Sequence, residues 1–176
     1  GWADHQLEQS LEKLELYDQI DDETTLYNAR FLLQDTDLEM ARARRYKTLF
    51  SVAVVDVPVG VYEKLGRRKG RALLRETGVQ LHEAVRNVDR AVHGRSATAH
   101  RFVVICPETG PEGVRIFADR LADRLARFLA ERGADPGTLT GRAYTFPGDD
   151  EALAALREDF AKIDATEHET IAARPA

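Results

Sequence analysis

The stretch from Arg90 to Pro107 most constrains what this chain can fold into. Phe102-Val103-Val104-Ile105-Cys106-Pro107 is an apolar, β-branched run of strand length. It ends at Glu108-Thr109-Gly110-Pro111, a helix-starting turn, and residues 90–94 upstream read as its hairpin partner. A second apolar run, Ser51 to Val57, predicts another buried strand within 49–57. Helical spacing predicts helices over 28–46, 70–87 and 111–132, with a further strand at 138–146 and a last helix at 150–163 capped by Asp149 or Asp150. In the first of these helices Phe31, Leu32, Leu38, Met40 and Ala41 are the apolar points, and Arg42, Arg44 and Arg45 fall on the wet side. From residue 49 the order is β-α-β-β-α-β, the split βαβ arrangement, an α+β fold with a mostly antiparallel sheet flanked by helices. Residues 165–176 hold too few apolar side chains to be read as more than a tail.

Composition narrows the function classes. The 176 residues are 43% hydrophobic, enough for one core, and the formal net charge of −5 argues against a generic nucleic-acid binder. Charges are mixed along the chain, and the longest apolar runs are strand length, so neither an anionic membrane surface nor direct membrane insertion is expected. A cytoplasmic location is the simplest expectation. The lone Cys106 excludes an internal disulfide and reads as a packing residue in its strand. The five histidines show no metal-ligand spacing, and no Ser or Cys stands in a nucleophile-elbow context.

Residues 1–20 form a separate N-terminal segment. They carry Leu7, Leu11 and Leu14 at spacings of four and three, without an internal glycine or proline. That is either a short heptad seam pairing two copies of the chain or an amphipathic helix lying on its own core.

Several blocks together resemble the GGDEF family of diguanylate cyclases across roughly residues 20 to 163. Asp22-Glu23-Thr24-Thr25-Leu26-Tyr27-Asn28-Ala29-Arg30-Phe31 is similar to the family's opening motif, usually Asp-x-Leu-Thr-Gly-Leu-Tyr-Asn-x-Arg, from which Glu23 and Thr25 depart. Ser51 to Val57 resembles the first core strand, placing Asp56 where the family has a metal-binding Asp. Gly70 to Asp89 aligns without a gap to the helix after the substrate loop, and 102–107 with 115–124 align to the closing strand and next helix. The resemblance implies a nucleotidyl-cyclase, palm-like core spanning 21–164. In the family, two GTP molecules meet across a dimer and carboxylate-held Mg²⁺ neutralises their triphosphates.

Against that pattern, counting back from Phe102 puts Thr98-Ala99-His100-Arg101 where Gly-Gly-Asp/Glu-Glu belong. Both carboxylates are replaced by side chains able to carry positive charge, the turn glycines are gone, and the hairpin is three residues longer than usual. Asp56 then reads as a remnant, since positive charge beside it competes with a metal. The expectation is therefore that the chain is not an enzyme, with no catalytic residues, no metal and no cofactor. Arg67, Arg68, Lys69 and Arg71 read as a solvated basic face rather than a rebuilt phosphate site.

A second family site is retained. Arg86-Asn87-Val88-Asp89 occupies the place of the RxxD motif that binds the product cyclic di-GMP in the family, and Arg120 falls where another arginine often joins it. Guanidinium forks suit phosphate oxygens and the guanine Hoogsteen edge, and a carboxylate accepts from guanine N–H groups. The competing reading is that these are ordinary surface charges in a chain with 31% charged residues. The expectation is a signalling domain, homodimeric, that receives cyclic di-GMP through Arg86, Asp89 and Arg120. The alternative is a ligand-free dimerisation module that docks on a protein partner in a signalling pathway through the longer hairpin.

Overall fold

The computed structural model describes residues 2–7 and 19–172. Residues 2–7 are helical, with Trp2 and Leu7 exposed; of the heptad seam, Leu11 and Leu14 lie outside the described residues. The elements that follow are α1 (Ala29–Tyr46), β1 (Phe50–Pro58), α2 (Gly60–Glu63), α3 (Arg67–Ala84), β2 (Arg90–Arg95), β3 (Ala99–Pro107), α4 (Pro111–Glu131), β4 (Gly141–Phe146) and α5 (Asp150–Ala172). The strands form one sheet in the order β2-β3-β1-β4 with every pair antiparallel. This is the expected α+β fold.

Strand parity sorts the core into two layers. Ala53, Val55 and Val57 of β1 and Phe102, Val104 and Cys106 of β3 face α3 and α4, packing on Leu73, Leu81, Leu121 and Leu125. Phe50, Val52 and Val54 with Val103 and Ile105 face the other way, onto Leu32 of α1 and Leu153, Leu156 and Phe160 of α5. Both faces being covered explains why β1 and β3 are apolar at nearly every position rather than alternating.

Three departures from the expected elements have local causes. Gly66, at φ +83, ends the short α2 and opens α3 at Arg67, three residues earlier than expected. α3 also stops at Ala84, because Val85 turns extended and a separate turn at 86–89 takes over. The expected tail is instead helix: α5 runs on to Ala172. Residues 150–172 contain neither glycine nor proline, so nothing breaks the helix, and Asp164 and His168 bond Arg30 of α1.

Close packing fixes the segment before α1. A Cβ on Gly78 of α3 would lie 2.5 Å from the Thr24 carbonyl oxygen, so only glycine lets α3 approach this segment. Thr25 beside it is left-handed at φ 64, a conformation that favours glycine. The family's opening motif carries glycine at this place, and Thr25 adopts its geometry regardless.

Candidate functional site

The expected site residues fall at opposite ends of the sheet. At the end where Phe50 pairs with Pro107, the turn between α3 and β2 is closed by Asp89. Its carboxylate accepts from the Arg86 backbone N–H at 3.0 Å, from Arg86 Nε at 3.2 Å and from Arg86 Nη2 at 3.0 Å. The Asp89 side chain is 3% exposed and that of Arg86 61%. Arg86 Nη2 also donates to Thr109 Oγ1 at 2.8 Å, and the paired Asp89 carboxylate raises the guanidinium pKa further. Arg86 and Asp89 line an open cavity of about 560 Å³ with Tyr27, Arg42, Arg90 and Glu108. Arg90 is engaged by Asp35 and Glu39 of α1, both at 2.7 Å; Arg42 also meets Glu39, at 3.3 Å, but its side chain is 61% exposed.

Arg120 stands apart. It is exposed on α4, between the inward-facing Ala118 and Leu121, and does not line this cavity. The fold thus brings two of the three expected ligand residues together. Arg42 is the cation that sequence reading passed over here, because its place in α1 marked it only as a wet-side residue.

At the other end stands the hairpin of β2 and β3, with Ser96 to Thr98 at its turn. Asp56 and Arg101 are direct partners in the β1–β3 register. Arg101 grips the carboxylate with two bonds, Nε at 2.8 Å and Nη2 at 3.2 Å, while Arg142 of β4 adds a third at 3.0 Å. Asp159 of α5 holds the remaining arm of Arg101 at 3.1 Å, and the carboxylate bonds raise the Arg101 pKa. With both Asp56 oxygens taken by guanidiniums, this donor set does not fit Mg²⁺ as it stands. Among the described residues, no group of three His, Cys, Asp or Glu side chains is gathered for a metal.

His100 corrects an expectation. It was expected beside Asp56 as a second cation, but consecutive strand residues face opposite ways, and it is buried under α3. Its ring meets the Tyr62 ring edge-on at 4.9 Å and stacks on His93 at 5.1 Å. Burial and the neighbouring His93 push its pKa down to about 3, so it is neutral. Its Nδ1 lies 2.9 Å from His93 Nε2, and His93 Nδ1 lies 2.9 Å from Asp21 Oδ2. Nothing in the spacing of Asp21, His93 and His100 signals this chain, since it forms only once the hairpin and the segment before α1 meet.

The comparisons with known proteins agree with this architecture. The family model for the diguanylate cyclase GGDEF domain matches residues 18–157. The chain belongs to the GGDEF family. Among solved structures, it is similar to the coiled coil and GGDEF domain of DgcB from Caulobacter crescentus in complex with c-di-GMP. Identity there is 19%, with 80% of this chain and 75% of that one covered and a TM-score of 0.63. The diguanylate cyclase SiaD in complex with its activator SiaC from Pseudomonas aeruginosa is 20% identical, over 94% of this chain and 65% of that one, with a TM-score of 0.59. The FimX GGDEF domain from Pseudomonas aeruginosa is 16% identical, over 84% and 94%, with a TM-score of 0.61. No curated protein matches the sequence.

Membership overturns the expectation that the chain is not an enzyme. The matching family is one of diguanylate cyclases, which points towards an enzyme, and the replaced hairpin carboxylates do not carry the opposite conclusion. Among the described residues, no helix is long and apolar enough to cross a membrane.

Proposed function

We propose that this GGDEF domain is a signalling module that binds cyclic di-GMP at the turn between α3 and β2, through Arg86 and Asp89. One observation carries the reading: Asp89 is buried and locks the turn, while the guanidinium it orients stays mostly open to a cavity shared with Arg42. A fixed, exposed guanidinium suits a phosphodiester, because its fork is pre-organised and little rotamer entropy is lost on binding. The DgcB structure, named as a complex with c-di-GMP, supports the ligand choice. Arg120 contributes from a second copy or after ligand contact, since it lies outside the cavity here. Two copies, paired through residues 1–20, form the working unit, and a protein partner belongs to the same signalling role.

Calorimetry with cyclic di-GMP in EDTA tests this reading, the donors being side chains. Saturable binding that weakens in Arg86→Ala is expected. Absence of binding at about 100 μM ligand, an affinity short of about −5.5 kcal/mol, or binding indifferent to Arg86→Ala, rejects it.

A further inference from the structure

The last helix outruns the family pattern. The match to the family ends at residue 157, yet α5 continues to Ala172. Up to Ile163 its inward face is apolar: Leu153, Leu156, Phe160 and Ile163 recur at spacings of three and four, and all are buried. Gly94 of β2 seats this face, since a Cβ there would lie 2.7 Å from Phe160 and 3.2 Å from Ile163. The next inward position, four residues on, is Glu167. A carboxyl therefore stands where the pattern calls for another apolar side chain.

Glu167 is half-buried and lines a cavity of about 230 Å³ with Asp21, Asp22, Glu23, His93 and Arg95. Residues 20–28 are the joint that leads from the N-terminal segment into α1, so the end of α5 lies against that joint. The groups around Glu167 are mostly acidic: Asp21, Asp22 and Glu23 from the joint and Asp164 from its own helix, against His93 and Arg95 of β2. Each basic candidate is already engaged. Asp21 holds the Thr24 N–H at 3.0 Å and Thr24 Oγ1 at 2.6 Å, and lies 2.9 Å from His93 Nδ1. Arg95 meets Glu63 at 3.4 Å, and Arg30 of α1 is claimed by Asp164 and His168. Among the described residues, Glu167 itself has neither a hydrogen bond nor an ion pair.

We propose that residues 164–172 of α5 are a proton-operated strap across the joint, docked while Glu167 is protonated and released when it ionises against Asp21. Past Ile163 no described side chain of the strap is buried, so its hold rests on the contacts of Arg30 with Asp164 and His168. Partly exposed pairs of this kind contribute little each. One ionised carboxyl adds both desolvation and like-charge repulsion, and both act against docking. The Glu167 pKa, pushed up to about 7 by burial first and by Asp21 second, agrees with that balance. Because the docked value lies above the ordinary 4.5, docking is complete below 4.5 and weakens as pH rises through 7. The strap thus makes the tie between the N-terminal segment and the sheet depend on pH near neutrality.

Hydrogen exchange of the full chain tests this, read as protection after correction for intrinsic exchange. Between about pH 6 and about pH 8, residues 164–172 should lose about tenfold in protection, the ratio that linkage gives for a carboxyl moving between these two pKa values, while 150–160 stay unchanged. Residues 20–28 should lose protection with the strap. Glu167→Gln, uncharged throughout and matched in helix propensity, should keep the strap protected at both ends of the range. His168→Gln controls for the other titratable side chain that bonds Arg30, and should retain the fall. Equal protection at both pH values overturns the proposal, as does a fall that survives Glu167→Gln, that vanishes in His168→Gln or that leaves 20–28 untouched. No ligand is present in these measurements, so cyclic di-GMP binding at Arg86 stands or fails apart from them.

Discussion

Each end of the sheet carries an arginine–carboxylate pair, and the two are built to opposite effect. Around Asp56, the carboxylate is shared by Arg101 and Arg142, and Asp159 claims the rest of Arg101, whose side chain is 18% exposed. Every charge there is answered from within the chain. At the 86–89 turn the shelter is one-sided: the carboxylate is buried and the guanidinium is not. The lesson is that what an ion pair can recognise depends on which partner keeps access to solvent, not on how short its bonds are.

The sharpest way to break this comparison is Arg86→Ala. It should weaken cyclic di-GMP by about 1.5–3 kcal/mol, roughly ten- to a hundredfold, with little loss of stability because the side chain is exposed. Calorimetry beside urea unfolding checks both halves. Asp89→Ala should do the reverse in kind. It removes a buried acceptor of three N–H bonds, and should lower unfolding stability by roughly 1–3 kcal/mol, weakening cyclic di-GMP only through the Arg86 side chain it no longer orients. Asp56→Ala should cost only about 1 kcal/mol, since that pair is partly exposed and screened, and should leave cyclic di-GMP binding unchanged. A loss of ligand affinity there would show that the two ends are coupled.

A separate set of effects, at the hairpin end, depends on pH. Burial and the nearby Asp21 carboxylate push the Glu167 pKa up to about 7 from its ordinary 4.5, so between these values the folded state holds a proton that the unfolded chain has released. Its contribution is complete below 4.5 and lost as pH rises through 7. Glu167→Gln should therefore gain stability relative to the parent between about pH 5 and about pH 7.5 in urea titrations. His100 has the opposite sign: between about 3 and 6.5 only the unfolded chain takes its proton, and stability falls as pH drops through that window. The smallest expected effect is that of Arg120→Ala, which should leave stability unchanged and reduce ligand affinity less than Arg86→Ala.

Much of this was legible in the sequence because it rests on local pattern. The apolar runs at 51–57 and 102–107 specified two doubly covered strands, and β2 lies where it was expected, at Arg90–Arg95. Arg86 and Asp89 were legible as a pair because the ungapped resemblance from Gly70 onward puts them at the place of the family's RxxD motif; that they close their own turn emerged only from the structure. Arg142 over Asp56 was not, since they are 86 residues apart and meet only through the β1–β4 pairing. The helical end of α5 was missed for a different reason. Apolar content was used to judge 165–172, whereas an alanine- and glutamate-containing segment without a breaker continues a helix already docked through Ile163.

The opposite facing of His100 and Arg101 has an evolutionary consequence. Single substitutions can tune either position alone, because the two neighbours answer to different layers. A one-residue insertion or deletion in the strand before Phe102 could do no such thing: the change of parity would drive a guanidinium under α3 beside Tyr62 and turn an imidazole towards Asp56. Hairpin length can therefore drift by additions confined to the turn at 96–98, whereas β3 itself must keep its count.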